Sequence, residues 1–164
     1  LILTHGHVDH IGSVSFFRER YGCTVVAHDL DADPIERGDP GPTAAGWYGV
    51  KLPRVKVDRR LYAGSEVVLV GETELHCLHT PGHTPGSVSV YLDRDGTRIL
   101  FGQDIHGPFS TEFGSDMTAW RASMEALLAL GADILCEGHF GIYAPRERVE
   151  RYIRGYLDRY ARRW

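Results

Sequence analysis

Between residues 55 and 101 apolar and polar positions alternate, and the alternation predicts strands over 55–57, 66–70, 74–78, 87–92 and 98–101. Turn residues separate them at Ala63-Gly64, Gly71-Glu72, Pro85-Gly86 and Asp95-Gly96. Upstream, the apolar run 1–4 and the β-branched run 24–27 read as two more strands. Helical spacing takes over at 116–130, where Met117, Trp120, Met124, Leu127 and Leu128 share one stripe, Asp116 is the N-cap and Gly131 the stop. A helix is expected over 11–20, with Val14, Phe16 and Phe17 as its apolar face and Tyr21-Gly22 as its end. Another starts near Pro145 and runs toward Trp164, with Glu147/Arg151, Glu150/Arg154 and Asp158/Arg162 as i,i+4 pairs. Residues 29–38 read as a short acidic helix interrupted by Pro34. Residues 39–49, rich in Pro, Gly and aromatics, read as a long loop of the kind that forms lids and binding loops. The strand expected over 133–136 leads to His139. Strands mixed with helices on both sides of a β-rich middle predict a layered α/β protein, one domain over 1–164.

Composition narrows the setting. Hydrophobic residues make up 43% and charged residues 24%, and 18 Lys+Arg stand against 22 Asp+Glu for a formal net charge of -4. That balance gives no global attraction to nucleic acid or an anionic membrane, so neither is expected as a partner. No apolar run approaches the roughly 18–20 residues that cross a bilayer. Three cysteines, Cys23, Cys77 and Cys136, without a CxxC pair, point to a reducing and therefore cytoplasmic setting. The chain opens on Leu1-Ile2-Leu3-Thr4 with no Met and no polar lead-in, as the middle of a buried strand would. The expectation is that further sequence lies upstream.

Nine histidines change the picture, because they cluster: three within His5–His10, three within His76–His83, and His139 after Glu137-Gly138. In Thr4-His5-Gly6-His7-Val8-Asp9-His10, His5 and His7 stand at i and i+2 after a strand, so an extended end aims both to one side. Asp9 and His10 follow where the chain turns into a helix, and four donors in six residues can serve two neighbouring metals. Imidazole with carboxylate suits Zn, Fe, Mn or Ni, and thiolate is not needed. His83 lies in Thr80-Pro81-Gly82-His83-Thr84-Pro85-Gly86-Ser87, where two Pro-Gly pairs stiffen the turn. Asp104 and His139 each follow a predicted strand. Singly, these three read equally as ordinary loop and strand-end residues. Together, five histidines and two aspartates stand at strand ends, which converge on one edge of a sheet.

This arrangement resembles the metallo-β-lactamase superfamily. The HxHxDH signature stands as His5, His7, Asp9 and His10, and His83, Asp104 and His139 match the later ligands in order and approximate spacing. The resemblance implies an αββα sandwich with the site at its edge. It implies that His5, His7 and His83 hold a first metal, that Asp9, His10 and His139 hold a second, and that Asp104 bridges. Members usually carry several strands before the signature. This chain is therefore expected to lack N-terminal strands, with a second chain or another copy in a homo-oligomer covering the face they leave.

The implied activity is that of a binuclear metallohydrolase. A hydroxide shared by two divalent ions, Zn first with Fe or Mn as alternatives, would attack a small thioester, ester or lactone-like substrate. Asp9 would ligate and orient the nucleophile. Outside the ligands, the position of His106, two residues past Asp104, fits either a hydrogen-bonded loop histidine or a proton donor facing the substrate. The Thr-Pro-Gly-His-Thr-Pro-Gly-Ser phrase is most similar to the glyoxalase II-like branch. Two departures qualify this: Gln103 stands where a glycine usually precedes the bridging aspartate, and a single helix follows His139, leaving no segment for a glutathione-binding domain. A glutathione thioester is thus one candidate among several. The cysteine ligand of some true β-lactamases is replaced by Asp104. Flavodiiron proteins usually carry Glu where His7 stands, and the arginines of the last helix read as a solvated face. Two other readings share the scaffold: a mononuclear iron persulfide dioxygenase-like oxidoreductase, and an inactive fragment that retains the ligands. His28, His76 and His79 are expected in packing roles and Cys136 as a buried thiol. Trp47, Tyr48, Phe109, Phe113 and Tyr143 are candidate pocket walls.

Overall fold

The computed structural model describes residues 1–161. A parallel pair joins β1 (Val26–His28) to β2 (Arg59–Leu61). The larger sheet runs, in spatial order, β3 (Ser65–Val70), β4 (Thr73–His79), β5 (Val88–Arg94), β6 (Thr97–Phe101), β7 (Ile134–Glu137) and β8 (Gly141–Tyr143). All neighbours in it are antiparallel except β6 and β7, which are joined by the crossover helix α5 (Met117–Leu130).

The two-residue period of the strands sorts their side chains into layers. Val26 and Leu61 face Val68, Val88 and Val90 between the sheets. Ala27 faces the other way, against Val14 of α2 (Val14–Tyr21) and Ile35 of α3 (Asp29–Arg37). On the large sheet Leu100 and Leu135 face α5 and α6 (Arg146–Ala161), through Trp120, Met124, Leu127, Val149 and Ile153. The order is helix, sheet, sheet, helix. Each fully buried large side chain in these layers contributes about 1.5–3 kcal/mol. The Asp116 carboxylate accepts from the Thr118 and Ala119 amides at 2.8 and 3.0 Å, and Gly131 closes α5 at φ 63.

Several sequence expectations change. The strand over 1–4 reduces to a single bridge between Ile2 and Val26. Residues 55–57 are not a strand, although Val55 and Val57 are buried; the strand that pairs β1 comes two residues later, as β2. β8 had no alternation to announce it in three residues. The helix over 11–20 splits into α1 (Val8–Ile11) and α2, with Val14 buried but Phe16 and Phe17 exposed. Pro34 does not interrupt α3. Among the described residues Glu147/Arg151 and Glu150/Arg154 form no ion pair, and Arg146 reaches Asp133 at 2.9 Å instead; Asp158/Arg162 lies outside the described residues. Cys136 is half-buried rather than buried. Val67, Leu69, Val70 and Phe101 are exposed, so one part of the sheet shows an apolar surface. Among the described residues no helix is long and apolar enough to cross a membrane.

Topology decides where the site forms. β4 and β6 are each antiparallel to β5, and β7 is parallel to β6, so the C-terminal ends of β4, β6 and β7 reach the same edge. His83, Asp104 and His139 follow those three ends. The Val88 amide donates to the Thr4 carbonyl at 2.7 Å, which brings the His5–His10 segment to that edge as well.

Candidate metal centre

All seven predicted ligands, and His106, meet at this edge. His5, His7 and His83 form one group whose donor atoms lie within 4.8 Å of one another, and Asp9, His10 and His139 form a second. In the first, His7 Nδ1 stands 3.0 Å from His83 Nε2. In the second, His10 Nε2 stands 3.1 Å from His139 Nε2, which is 3.3 Å from Asp9 Oδ2. Asp104 faces both: its Oδ2 is 3.7 Å from His83 Nε2, 4.0 Å from His5 Nε2 and 3.2 Å from His139 Nε2.

The donor set fits divalent ions. Two nitrogens each about 2.1 Å from one tetrahedral ion lie about 3.4 Å apart, close to the nitrogen pairs in each group. Among the described residues His5 Nε2 is buried without a hydrogen-bond partner, as an atom directed at an ion would be, while Asp104 Oδ1 lies 3.2 Å from His10 Nε2. His5 Nδ1 lies 3.2 Å from the Thr4 hydroxyl, a partner that can fix the ring with Nε2 turned inward.

Burial first, then the neighbouring histidines, hold His5 well below its ordinary pKa. Burial likewise lowers His7 to about 4 and His83 to about 3. These imidazoles are neutral near pH 7 and offer lone pairs rather than charge. Burial pulls His10 down too, but the Asp104 carboxylate beside it prevails and raises it. Asp104 answers in kind: burial pushes its carboxyl up, and His10, His83 and His139 hold it below the usual range.

Two carboxylates not singled out from the sequence organise the surroundings. Asp31, on α3, is buried at 5% exposure. It accepts from the Gly6 amide at 3.0 Å, the Gly86 amide at 2.7 Å and the Thr84 hydroxyl at 2.7 Å. One side chain thus ties the His5-Gly6-His7 turn to the His83 loop. The approach is so close that a Cβ on Gly86 would fall 2.6 Å from Asp31 atoms. Burial pushes the Asp31 carboxyl up against the opposite pull of those three donors, and the net shift is upward. Glu137, at the end of β7, accepts from the His139 and Phe140 amides, both at 2.8 Å, and its other oxygen lies 2.7 Å from His106 Nδ1. Burial raises Glu137, but the His106 bond and the two amides outweigh it and hold it below the usual range.

Gln103 takes φ 51, a region that favours glycine, which gives a backbone reason for glycine at this place. Its Oε1 accepts the Asp104 amide at 2.8 Å. His79 packs as expected, stacked on His28 at 3.9 Å with Nε2 2.8 Å from the Pro85 carbonyl oxygen. His28 Nδ1 accepts from Leu30 at the start of α3, and His76 stacks on Tyr91. Of the candidate walls, Trp47, Tyr48 and Phe113 line the cavity over the site. Phe109 packs instead on Trp120 and Tyr160, and Tyr143 on Tyr152; Phe140, not anticipated, joins the lining.

The family model described as the metallo-beta-lactamase superfamily matches residues 1–139. The chain belongs to this superfamily. A hydroxyacylglutathione hydrolase of Bradyrhizobium sp. (strain ORS 278) is 36% identical over 104 residues, covering 63% of this chain and 32% of its own length. The acyl-coenzyme A thioesterase MBLAC2 of Gallus gallus is 26% identical over 179 residues, covering 96% of this chain and 62% of its own. A subclass B3 metallo-β-lactamase of Bradyrhizobium japonicum has the same fold, with TM-score 0.75 at 22% identity over 99% of this chain and 70% of that one. Against three of its curated relatives the chain spans between 47% and 62% of their length. The metallo-β-lactamase fold with its His/Asp groups implies that this chain binds divalent metal.

Proposed function

We propose that this chain carries the binuclear centre of a hydrolase that cleaves a small thioester, ester or lactone-like substrate. The observation that carries the reading is Asp104 Oδ2, which faces nitrogens of both histidine groups at 3.2–4.0 Å. In this reading His5, His7 and His83 hold one ion, Asp9, His10 and His139 hold the other, and Asp104 bridges, with Zn first and Fe or Mn as alternatives. When bound, such a pair of ions supplies an activated water at neutral pH and polarises the substrate carbonyl. Two relatives named for acyl substrates, a hydroxyacylglutathione hydrolase and an acyl-coenzyme A thioesterase, support an acyl thioester as the first class to test. The three unpaired cysteines favour a cytoplasmic setting.

The chain's own residues divide the remaining work. Asp9, partly exposed beside His139, orients the attacking water. Glu137 holds His106 through Nδ1, which leaves His106 Nε2 free to pass a proton to the leaving group. Metal titration is expected to saturate at two ions per chain, and a panel of thioesters, lactones and phosphodiesters to show turnover that a chelator abolishes. Saturation at one ion, with oxygen consumption, would move the reading to the iron dioxygenase class.

His106 also stands with Asp104 and His139 in a group whose donors could share an ion. His106→Ala is expected to lower turnover about 100-fold while metal content stays at the wild-type value. Loss of an ion from that variant would make His106 a ligand instead.

A further inference from the structure

The cavity over the metal centre encloses about 250 Å³, and its wall chemistry goes beyond what the ligands require. Two rows of aromatic rings, in edge-on and tilted contact, rise from the two ligand groups. Phe113, in the 3-10 turn Thr111–Phe113, lies 4.4 Å from the His7 ring, and Trp47 lies 4.5 Å from Phe113. Phe140 lies 4.5 Å from His106, which is 5.2 Å from His139. Trp47 is 55% exposed and Phe140 58%, so neither is needed to fill the core.

Trp47 is nevertheless fixed. It sits on the short helix α4 (Ala45–Tyr48), and its indole Nε1 donates to Glu112 Oε2 at 2.8 Å. That bond satisfies the only polar atom of the ring and leaves its faces to apolar contact. Among the described residues no lysine or arginine lines the cavity, and its carboxylates, Asp9 and Asp104, belong to the metal centre. Two further carboxylates stand directly behind lining residues: Glu112 behind Trp47 and Glu137 behind His106. An anionic tail would meet no lysine or arginine on these walls and a carboxylate behind Trp47. An apolar tail would displace water from two aromatic surfaces.

We propose that the acyl group of the substrate is uncharged and apolar, aliphatic or aromatic, and is held between the Trp47–Phe113 pair and Phe140. This rests on the hydrolase reading above and names the substrate class for that same site. The volume corresponds to about eight water-sized groups, room for the reacting carbonyl and a tail of about six heavy atoms. The reaction is ordinary hydrolysis. The water oxygen bonds to the carbonyl carbon, the bond to the alcohol or thiol sulfur breaks, and the leaving group takes up a proton.

The test uses the metal-loaded chain and four para-nitrophenyl esters: acetate, hexanoate, phenylacetate and, as the anionic counterpart, hemisuccinate. Hexanoate and phenylacetate are expected to exceed acetate in kcat/KM by about tenfold or more, with hemisuccinate lowest. Trp47→Ala and, separately, Phe140→Ala are expected to shrink the hexanoate-to-acetate ratio about tenfold, through KM more than kcat. Thermal unfolding of both variants shows whether either has lost its fold. Binding of benzylacetone, a neutral aromatic ketone that is not hydrolysed, is followed alongside by calorimetric titration. It is expected to weaken about tenfold in Trp47→Ala. An active protein with equal kcat/KM across acyl length, or one that prefers hemisuccinate, overturns the pocket inference and leaves the hydrolase reading standing. Trp47-dependent benzylacetone binding in a protein that hydrolyses no ester, thioester or lactone supports the pocket and removes the hydrolase reading. Absence of both overturns the inference.

Discussion

Asp104→Ala is expected to lower metal affinity and turnover together, with kcat falling about 1,000-fold or more. The carboxylate lies within 4.0 Å of nitrogens from both histidine groups, and it is 2% exposed, so little water can replace it. Its loss removes a buried anionic side chain that faces both groups, and two cations brought close together then repel each other with less compensation. Cobalt substitution gives a direct measurement, because the visible absorption of each ion reports its coordination. The variant is expected to bind one ion tightly and a second weakly, with altered absorption for both. A variant that takes up two ions with unchanged affinity would show that Asp104 does not bridge. Asp104→Asn is the milder companion, since it keeps the shape and removes the charge.

Asp31→Ala is expected to act on stability and on metal binding through the same lost contacts. Two buried backbone amides lose their acceptor and the Thr84 hydroxyl is left with Ser87 Oγ at 2.9 Å, and each unsatisfied amide costs about 1–3 kcal/mol. A total of about 3–5 kcal/mol is a large part of the stability of an ordinary domain. The freed amides are those of Gly6, between His5 and His7, and of Gly86, three residues past His83. The first ligand group is therefore expected to loosen, with metal affinity down about 10–100-fold, as when partners that orient ligands are removed. Chemical denaturation of the metal-free protein measures the first effect, and competition with a chromophoric chelator below the unfolding range measures the second. Metal affinity equal to wild type in a destabilised variant would confine Asp31 to a folding role.

How much was legible in the sequence follows from how local each signal is. His5, His7, Asp9 and His10 fall within six residues, so their joint spacing is itself the signal. His83 was legible from the two Pro-Gly pairs around it, and Asp104 and His139 from standing after predicted strands. Helix α5 was legible because an amphipathic stripe, an N-cap and a glycine stop agree. β2 and β8, three residues each, are too short to show a period. Phe16 and Phe17 misled because adjacent residues on a helix lie about 100° apart, and apolar character alone does not say that a face is covered.

The sequence by itself therefore determined the donor types, their order along the chain and the layered α/β class. Only the tertiary structure decided that the ends of β4, β6 and β7 share one edge, because strand order and direction arise from pairing between segments, not from any one of them. It alone decided the work of Asp31 and Glu137. Asp31 acts on backbone amides 25 and 55 residues away, and an amide carries no side-chain identity for a sequence pattern to register. Glu137 stands beside His139 in sequence, yet its partner His106 lies 31 residues away across the β6–β7 crossover. The apolar walls were likewise set by packing: Trp47, Phe113 and Phe140 come from three separate segments, and what selects them over Phe109 and Tyr143 is which faces the fold leaves uncovered.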